Sequence, residues 1–507
     1  MAKAAANKDI NKVIIRMYCI GTGDCFVLKF LSGDSEKFTM MIDCGCCTGD
    51  AAQFKPYVED LAAYVKKEVD LLVVTHEHQD HVNGFAKCKD IFETIKFKEA
   101  WFAWTENPED PDGTAAELLK KRNEMRLAFS NSMTQLKTRF SEVNKYNDSY
   151  YKNTIIENNN SMLGGLGTLA DINLPAADEG GGQSLAGMVW IKDKLKRDEV
   201  KPQYLKPGEV KTNKKAPGIK FYVLGPPFER SFIFKDGKTG KDVFNKNSLF
   251  INNSFSEAAL SNSNGKINQT DIPFNEEYII KPDDLILPSD PNVDPELKEE
   301  NKVYKDITTA YENADNKWRR IDDDWLNSTG SLALRLNSHI NNTSLAVAIE
   351  FQDGDKKVIL LPGDAEYGSW DSWHAIEKWK PKGDNKKHFV EELLNRTVFY
   401  KVSHHMSYNG TPTEQGIKMM NREDLAAFAT LDRNRIAAKW KSTMPNKLLL
   451  EELIARCQGK MIIMNEVDIS NKPSDVLVPR SLGNDIYQEQ QIAGSEDFLY
   501  KQYVISA

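Results

Sequence analysis

No apolar run in the chain approaches the roughly 20 residues needed to cross a bilayer. The start, MAKAAANKDINKV, also lacks the apolar stretch of a secretory signal. Both absences point to a cytoplasmic protein with no membrane partner. Cysteine is scarce and odd in number: Cys19, Cys25, Cys44, Cys46, Cys47, Cys88 and Cys457, seven in all, at no framework spacing. A disulfide scaffold is therefore not expected, and buried free thiols are. The CGCC run at 44–47 has no second paired cluster to complete a structural zinc site. Repeats at solenoid periods are missing. So is an excess of basic charge: a net charge of −8 and a pI near 5.7 argue against indiscriminate binding to polyanions, although a local basic groove is compatible with them. Histidine is rare as well, eight in 507 residues, yet His76, His78 and His81 fall within six positions, together with Asp80, in THEHQDHVNG.

The hydrophobic content, 40%, is that of a soluble globular protein and suffices for a large core. KVIIRMYCIG, CFVLKFLS and KFTMMIDCG read as strands, with turn chemistry in GTGD. Tyr57, Leu61 and Val65 mark an amphipathic helix after Pro56, and VDLLVV suits a strand buried on both faces. Residues 114–145 predict one long helix or two shorter ones, and the Asn- and Gly-rich stretch 156–190 predicts a mobile loop. A polar stretch to 327 ends in a helix carrying Tyr311, Trp318 and Trp325, beside the solvated acids Asp322, Asp323 and Asp324. From Ser331 strand signals resume in SLALRLNS, TSLAVAIEF, KVILLPGD and TVFYKVSHHMS, followed by DLAAFATL, a helix and KMIIMNE. The simplest organisation is one α/β domain interrupted twice.

HEHQDH lacks the four-residue spacing of a zincin helix. As the loop leaving a buried strand it makes better sense: His76 and His78 then converge on one point while Asp80 and His81 turn to a second, giving two adjacent metal sites. Imidazole and carboxylate suit zinc, and also manganese or iron where oxygen contributes more. The adjacent pair His404 and His405, at the end of another apolar strand, supports one site built from strand ends.

On these motifs the sequence resembles the metallo-β-lactamase-fold hydrolases: His76, His78, Asp80 and His81 match the His-x-His-x-Asp-His signature, MIDCG the first motif, LLPGDAE the bridging-acid segment and SHH the last ligand motif. IGTGDCFVLKF, YLKPGE, FYVLGPP, NNTSLAVAIEF and KVSHHMS resemble the branch that includes the lactamase-like domain of bacterial DNA-uptake competence proteins. The resemblance covers about 12–100, 204–227 and 331–465. It implies a four-layer αββα sandwich over 12–470, interrupted by insertions at about 101–203 and 228–330, with 471–507 as a C-terminal extension. It implies two divalent metal ions, zinc or manganese, held by His76, His78, Asp80, His81, Asp364 and His405. Asp364 would bridge them, Asp43 would buttress the loop, and Asp80 and His404 are the candidate catalytic residues, His404 as a substrate or phosphate contact. Where many members place a further His, this chain has LGPP and NNTS, so water or Asn342 would fill in; His339 is expected in a turn between two strands. The implied activity is phosphodiester hydrolysis by a metal-activated water, foremost on nucleic acid. Alternatives are a small nucleotide or other ester as substrate, or a bacterial defence effector regulated by a protein partner through the insertions. KTNKKAPGIK, KWKPKGDNKKH and RNRIAAKWK offer phosphate contacts.

Overall fold

The computed structural model describes residues 9–143, 162–175, 185–244, 294–313, 329–380, 388–436, 440–465 and 482–507. The chain divides into two compact units, one of residues 1–123, 167–249 and 336–507, the other of 124–166 and 250–335.

The first unit holds two large sheets flanked by helices, the α/β sandwich with insertions. One sheet has eight strands in the order Tyr487–Gln491, Phe498–Ser506, Lys12–Tyr18, Phe26–Ser32, Ser35–Ile42, Leu71–Val74, Ala100–Ala103 and Gln203–Leu205. It is antiparallel as far as Ser35–Ile42 and parallel beyond. Phe498–Ser506 pairs along the whole of Lys12–Tyr18, with Ser506 opposite Lys12 and Tyr500 opposite Tyr18. The other sheet has seven strands, ordered Met461–Asn465, Ala426–Asp432, Thr397–Lys401, Val358–Leu361, Val347–Phe351, Ile219–Val223 and Val210–Lys211. Phe30 and Phe38 of the first sheet meet Phe221 of the second at ring separations of 6.1 and 6.2 Å, which fixes where the two inner faces touch.

The helix expected around Tyr57 is Ala51–Tyr64; Asp50 caps it by accepting from the Gln53 amide, and Phe54, Tyr57, Val58 and Leu61 form its buried stripe. The run 114–145 becomes one helix, Thr114–Val143. Residues 104–202 run between the neighbouring parallel strands Ala100–Ala103 and Gln203–Leu205, so that 101–103 and 203 of the expected insertion belong to the sheet, and 228–330 lies between the antiparallel neighbours Ile219–Val223 and Val347–Phe351. In the second unit the described residues form helices, among them Pro295–Glu312 with its caps Asp294 and Asn313.

Three expectations require correction. SLALRLNS is not a strand: it lies in the helix Thr329–Asn341, because Leu332, Leu336 and Ile340, all buried, repeat every four residues and outweigh the local alternation. His339 is consequently a helical residue, stacked on Phe234 at 4.6 Å, and not a turn residue. Within 156–190, residues 162–173 are helical and the helix Ala186–Arg197 begins, which corrects the loop reading there, while 156–161 and 176–184 lie outside the described residues. Trp318, Trp325 and the acids Asp322 to Asp324 lie outside the described residues.

Candidate metal centre

The site forms where strands of both sheets end. Leu71–Val74, buried at all four positions, delivers Thr75 to His81; Ser35–Ile42 delivers Asp43; Val358–Leu361 delivers Asp364; and Thr397–Lys401 delivers Lys401 to His405. The loop after Ile42 packs directly on the histidine loop. The Cys44 amide donates to the His81 carbonyl (2.8 Å), and a side chain at Gly45 would stand 2.4 Å from the Asp80 backbone. Only glycine permits that approach.

Each of four imidazoles has one nitrogen engaged by an outer partner and the other turned inward. His81 Nδ1 donates to Asp43 Oδ2 (2.8 Å), and Asp43 is itself held by the Thr75 amide (2.8 Å) and hydroxyl (2.5 Å). Because that hydroxyl donates to Asp43, it accepts from His76 Nδ1 (3.0 Å). His78 Nε2 donates to Asn173 Oδ1 (3.0 Å), and His405 Nδ1 to the Thr430 carbonyl (3.0 Å). The inward atoms then meet: His76 Nε2 lies 3.0 Å from His78 Nδ1, His81 Nε2 lies 3.2 Å from Asp364 Oδ2, and His405 Nε2 lies 3.0 Å from Asp364 Oδ2 and 3.1 Å from Asp80 Oδ2. Outer N–H groups held in this way present inner lone pairs to a metal.

Electrostatics favour a cation at this point. Four buried carboxylates, Asp24, Asp43, Asp80 and Asp364, face one buried ammonium, that of Lys401. Burial opposes the imidazolium of His81, but Asp364 and Asp24 outweigh it and hold its pKa well above the ordinary value. Burial likewise opposes the charged form of His405, which Asp364 and Asp80 push up to about 9. Burial lowers His76 and His78, the latter to about 4. Asp364 would be raised by burial, yet His405, Lys401 and His81 bring it well below the usual carboxylate range. Asp80 Oδ1 is buried with no hydrogen bond among the described residues, and the buried His81 Nε2 has only the ion-pair contact with Asp364. Asp24, His81, Asp364 and His405 present donor atoms within 4.8 Å of one another. Imidazole nitrogen, carboxylate oxygen and the unpartnered buried Asp80 Oδ1 fit a divalent metal of the zinc class.

All six residues expected as ligands, His76, His78, Asp80, His81, Asp364 and His405, come together here, with Asp43 beside them. Asn342 does not join them. Its amide donates to the Ile233 carbonyl (3.0 Å) and accepts from the Ser369 amide (3.0 Å), which commits both ends to the fold. His404 is partly exposed, with Nδ1 2.9 Å from Ser407 Oγ and 3.3 Å from Glu366 Oε1. His404, His405 and Met406 are consecutive non-glycine residues with left-handed backbone (φ 47°, 47° and 67°), each costing about 1–2 kcal/mol. The turn is pinned by Ser403 Oγ donating to the Ala365 carbonyl (2.7 Å), by the His405–Thr430 bond and by the Asn446 amide donating to the Met406 carbonyl (2.9 Å).

Sequence reasoning missed Asp24, Lys401 and Asn173. Lys401 Nζ bridges Asp24 Oδ2 (2.6 Å) and Asp364 Oδ1 (2.9 Å), while Thr430 Oγ1 donates to Asp24 Oδ1 (2.8 Å). Both oxygens of Asp24 are thus engaged, and its geometric role is to hold Lys401. GTGD read as turn chemistry and Lys401 as strand, so neither carried a signal; a charged residue ending the apolar run TVFYK was the one available clue. Glu77 points behind the loop to the fully buried Arg122, which also meets Glu106 (2.9 Å), and Lys192 meets Glu106 (3.0 Å).

Beside the centre opens a cavity of about 320 Å³ whose lining includes His78, Asp80, His404 and His405, with Ile172, Arg435, Trp440 and Met444 among its other walls. No helix among the described residues is long and apolar enough to cross a membrane.

Residues 21–127 match the family model of the metallo-beta-lactamase superfamily. That span carries the histidine loop and leaves Asp364, Lys401 and His405 outside it. Comparisons with curated proteins and with solved structures gave no significant match. The matched domain and the donor cluster together support a metal-dependent hydrolase.

Proposed function

We propose that this hydrolase cleaves phosphodiester bonds with a metal-activated water and that nucleic acid is its favoured substrate. The observation that carries the reading is the set of four imidazoles, each fixed by an outer acceptor, with the inner nitrogens of His76 and His78 turned to each other and those of His81 and His405 turned to Asp364, His405 also meeting Asp80. A pair of divalent ions, zinc or manganese, would supply a low-pKa water and stabilise charge developing on a phosphoryl group. His76 and His78 would hold one; Asp80, His81 and His405 the other; Asp364 would serve both. The resemblance of GTGDCFVLKF, LLPGDAE and KVSHHMS to the competence-protein branch favours phosphodiesters over lactams.

His404 is partly exposed on the cavity wall, where it can contact a phosphate oxygen. Burial raises the Glu366 carboxyl beside it, against the pull of His404. A small nucleotide as substrate is the second reading, favoured by a cavity of about 320 Å³ with Trp440 on one wall, a size and surface suited to a single nucleotide.

The test is metal analysis of protein purified without chelator, followed by assay on DNA, RNA and small phosphodiesters with zinc or manganese. Asp364→Ala should lose metal and activity together, and His404→Ala should keep metal and lose turnover. If Arg433 and Lys378 begin phosphate-contacting segments, cleavage of long substrates falls with added salt while that of a small neutral ester does not. A fully metallated protein that opens lactams or thioesters but cleaves no phosphodiester would refute the reading.

A further inference from the structure

The loop that packs on the histidine loop carries a thiol to the centre. Cys47 Sγ lies 3.6 Å from Asp80 Oδ2, the oxygen that His405 Nε2 approaches to 3.1 Å. Cys47 is the one cysteine of the seven that is not buried, and it lines the cavity with Asp80, Asp364 and His405. The other oxygen of Asp80, in a side chain 3% exposed, has no hydrogen-bond partner among the described residues. Sulfur at about 2.3 Å and carboxylate oxygen at about 2.1 Å from one zinc ion, at an angle of about 110° to each other, stand about 3.6 Å apart. Without metal this contact is a hydrogen bond from the Cys47 thiol to Asp80 Oδ2, and its length is also the spacing that two donors to one ion would keep. It is held by backbone: the Cys47 amide donates to the Thr22 carbonyl (2.8 Å) and the Cys46 amide to Asn83 Oδ1 (3.1 Å).

We infer that Cys47 is a metal ligand of this centre, joining Asp80, His81 and His405 around the second ion. The inference rests on the metal-dependent reading above. On metal binding the thiol proton passes to solvent and the sulfur binds as thiolate. A soft ligand of this kind selects zinc or cobalt over manganese, so Cys47 sets which ion the site prefers.

The full-length protein, stripped of metal and titrated with cobalt(II), tests this without reference to activity. The expected result is a near-ultraviolet thiolate-to-cobalt charge-transfer absorption that saturates with the visible ligand-field bands, disappears in Cys47→Ser and persists in Cys46→Ser. In competition with a chromophoric chelator, Cys47→Ser should bind zinc about 10- to 100-fold more weakly and manganese within about 2-fold of the parent. Ligand-field bands without the charge-transfer absorption in the unaltered protein overturn the role of Cys47 and leave the metal centre standing. The same holds if the absorption survives in Cys47→Ser. Failure to bind cobalt or zinc at all overturns both.

Discussion

Replacing Lys401 by Met isolates the contribution of the one ammonium that the described residues bring into the centre. Its Nζ meets Asp24 Oδ2 at 2.6 Å, Asp364 Oδ1 at 2.9 Å and the Gly363 carbonyl at 3.0 Å, with every partner buried. Burial opposes the ammonium, yet Asp24 and Asp364 raise its pKa above the ordinary value, so it is charged at any working pH. Removing one member of a buried ion pair costs about 3–5 kcal/mol, because the partner's charge is left uncompensated. Two carboxylates depend on Lys401, which places the metal-free loss at about 5 kcal/mol. In the metal-loaded protein Asp364 gains another source of positive charge, and the loss should fall to about half. The assay is denaturant unfolding of chelated and zinc-loaded protein, followed by the fluorescence of the buried Trp370 and Trp373. Adding Asp24→Asn to Lys401→Met should recover part of the loss, since one uncompensated charge disappears. A metal-free loss below about 1 kcal/mol would refute the reasoning, as would equal losses in both states or strict additivity of the two substitutions.

Asn173→Ala should weaken metal binding about 10- to 100-fold by releasing the outer nitrogen of His78, and Asn173→Asp, which keeps an acceptor, should restore most of it; equal loss in both variants, measured by chelator competition, would make Asn173 a packing residue only. In the chelated protein the His405 pKa is raised to about 9, so its contribution is complete below the ordinary value near 6.5 and disappears as pH rises through 9. The size is about 3 kcal/mol, it should be missing from His405→Gln, and a parent whose metal-free stability is flat over that interval relative to the variant would contradict the assignment.

Much of this centre was legible because most of its candidate ligands sit close together in sequence. His76, His78, Asp80 and His81 share one loop after an apolar run, and His405 follows another, so strand ends and ligand chemistry were visible together. The residues that escaped are those whose role depends on tertiary approach. Asp24 lies in a turn, Lys401 ends a strand, and Asn173 sits in a stretch whose glycines suggested a loop; nothing in their neighbours announces a carboxylate, an ammonium or an imidazole across the fold. Asn342 misled for the converse reason: an amide near the expected gap is chemically suitable, but only its contacts with Ile233 and Ser369 show that it is already engaged. SLALRLNS misled because leucines two apart mimic a strand, although burial follows the four-residue repeat.

The pairing of Lys12–Tyr18 with Phe498–Ser506 has a consequence for synthesis. Ser506 lies opposite Lys12, so nearly the whole sequence separates two strands that are neighbours in the sheet. During translation, Lys12–Tyr18 can form its hairpin with Phe26–Ser32 early, but its other side stays open until residues near 500 leave the ribosome. Contacts of such long range close slowly. At rates of about 5–20 residues per second the open edge persists for roughly 25–100 seconds, an exposed template for pairing with other nascent chains. A chain stopped after Asn465 would keep that edge permanently, so self-association, before any effect on the metal centre, should be the first property by which it is recognised.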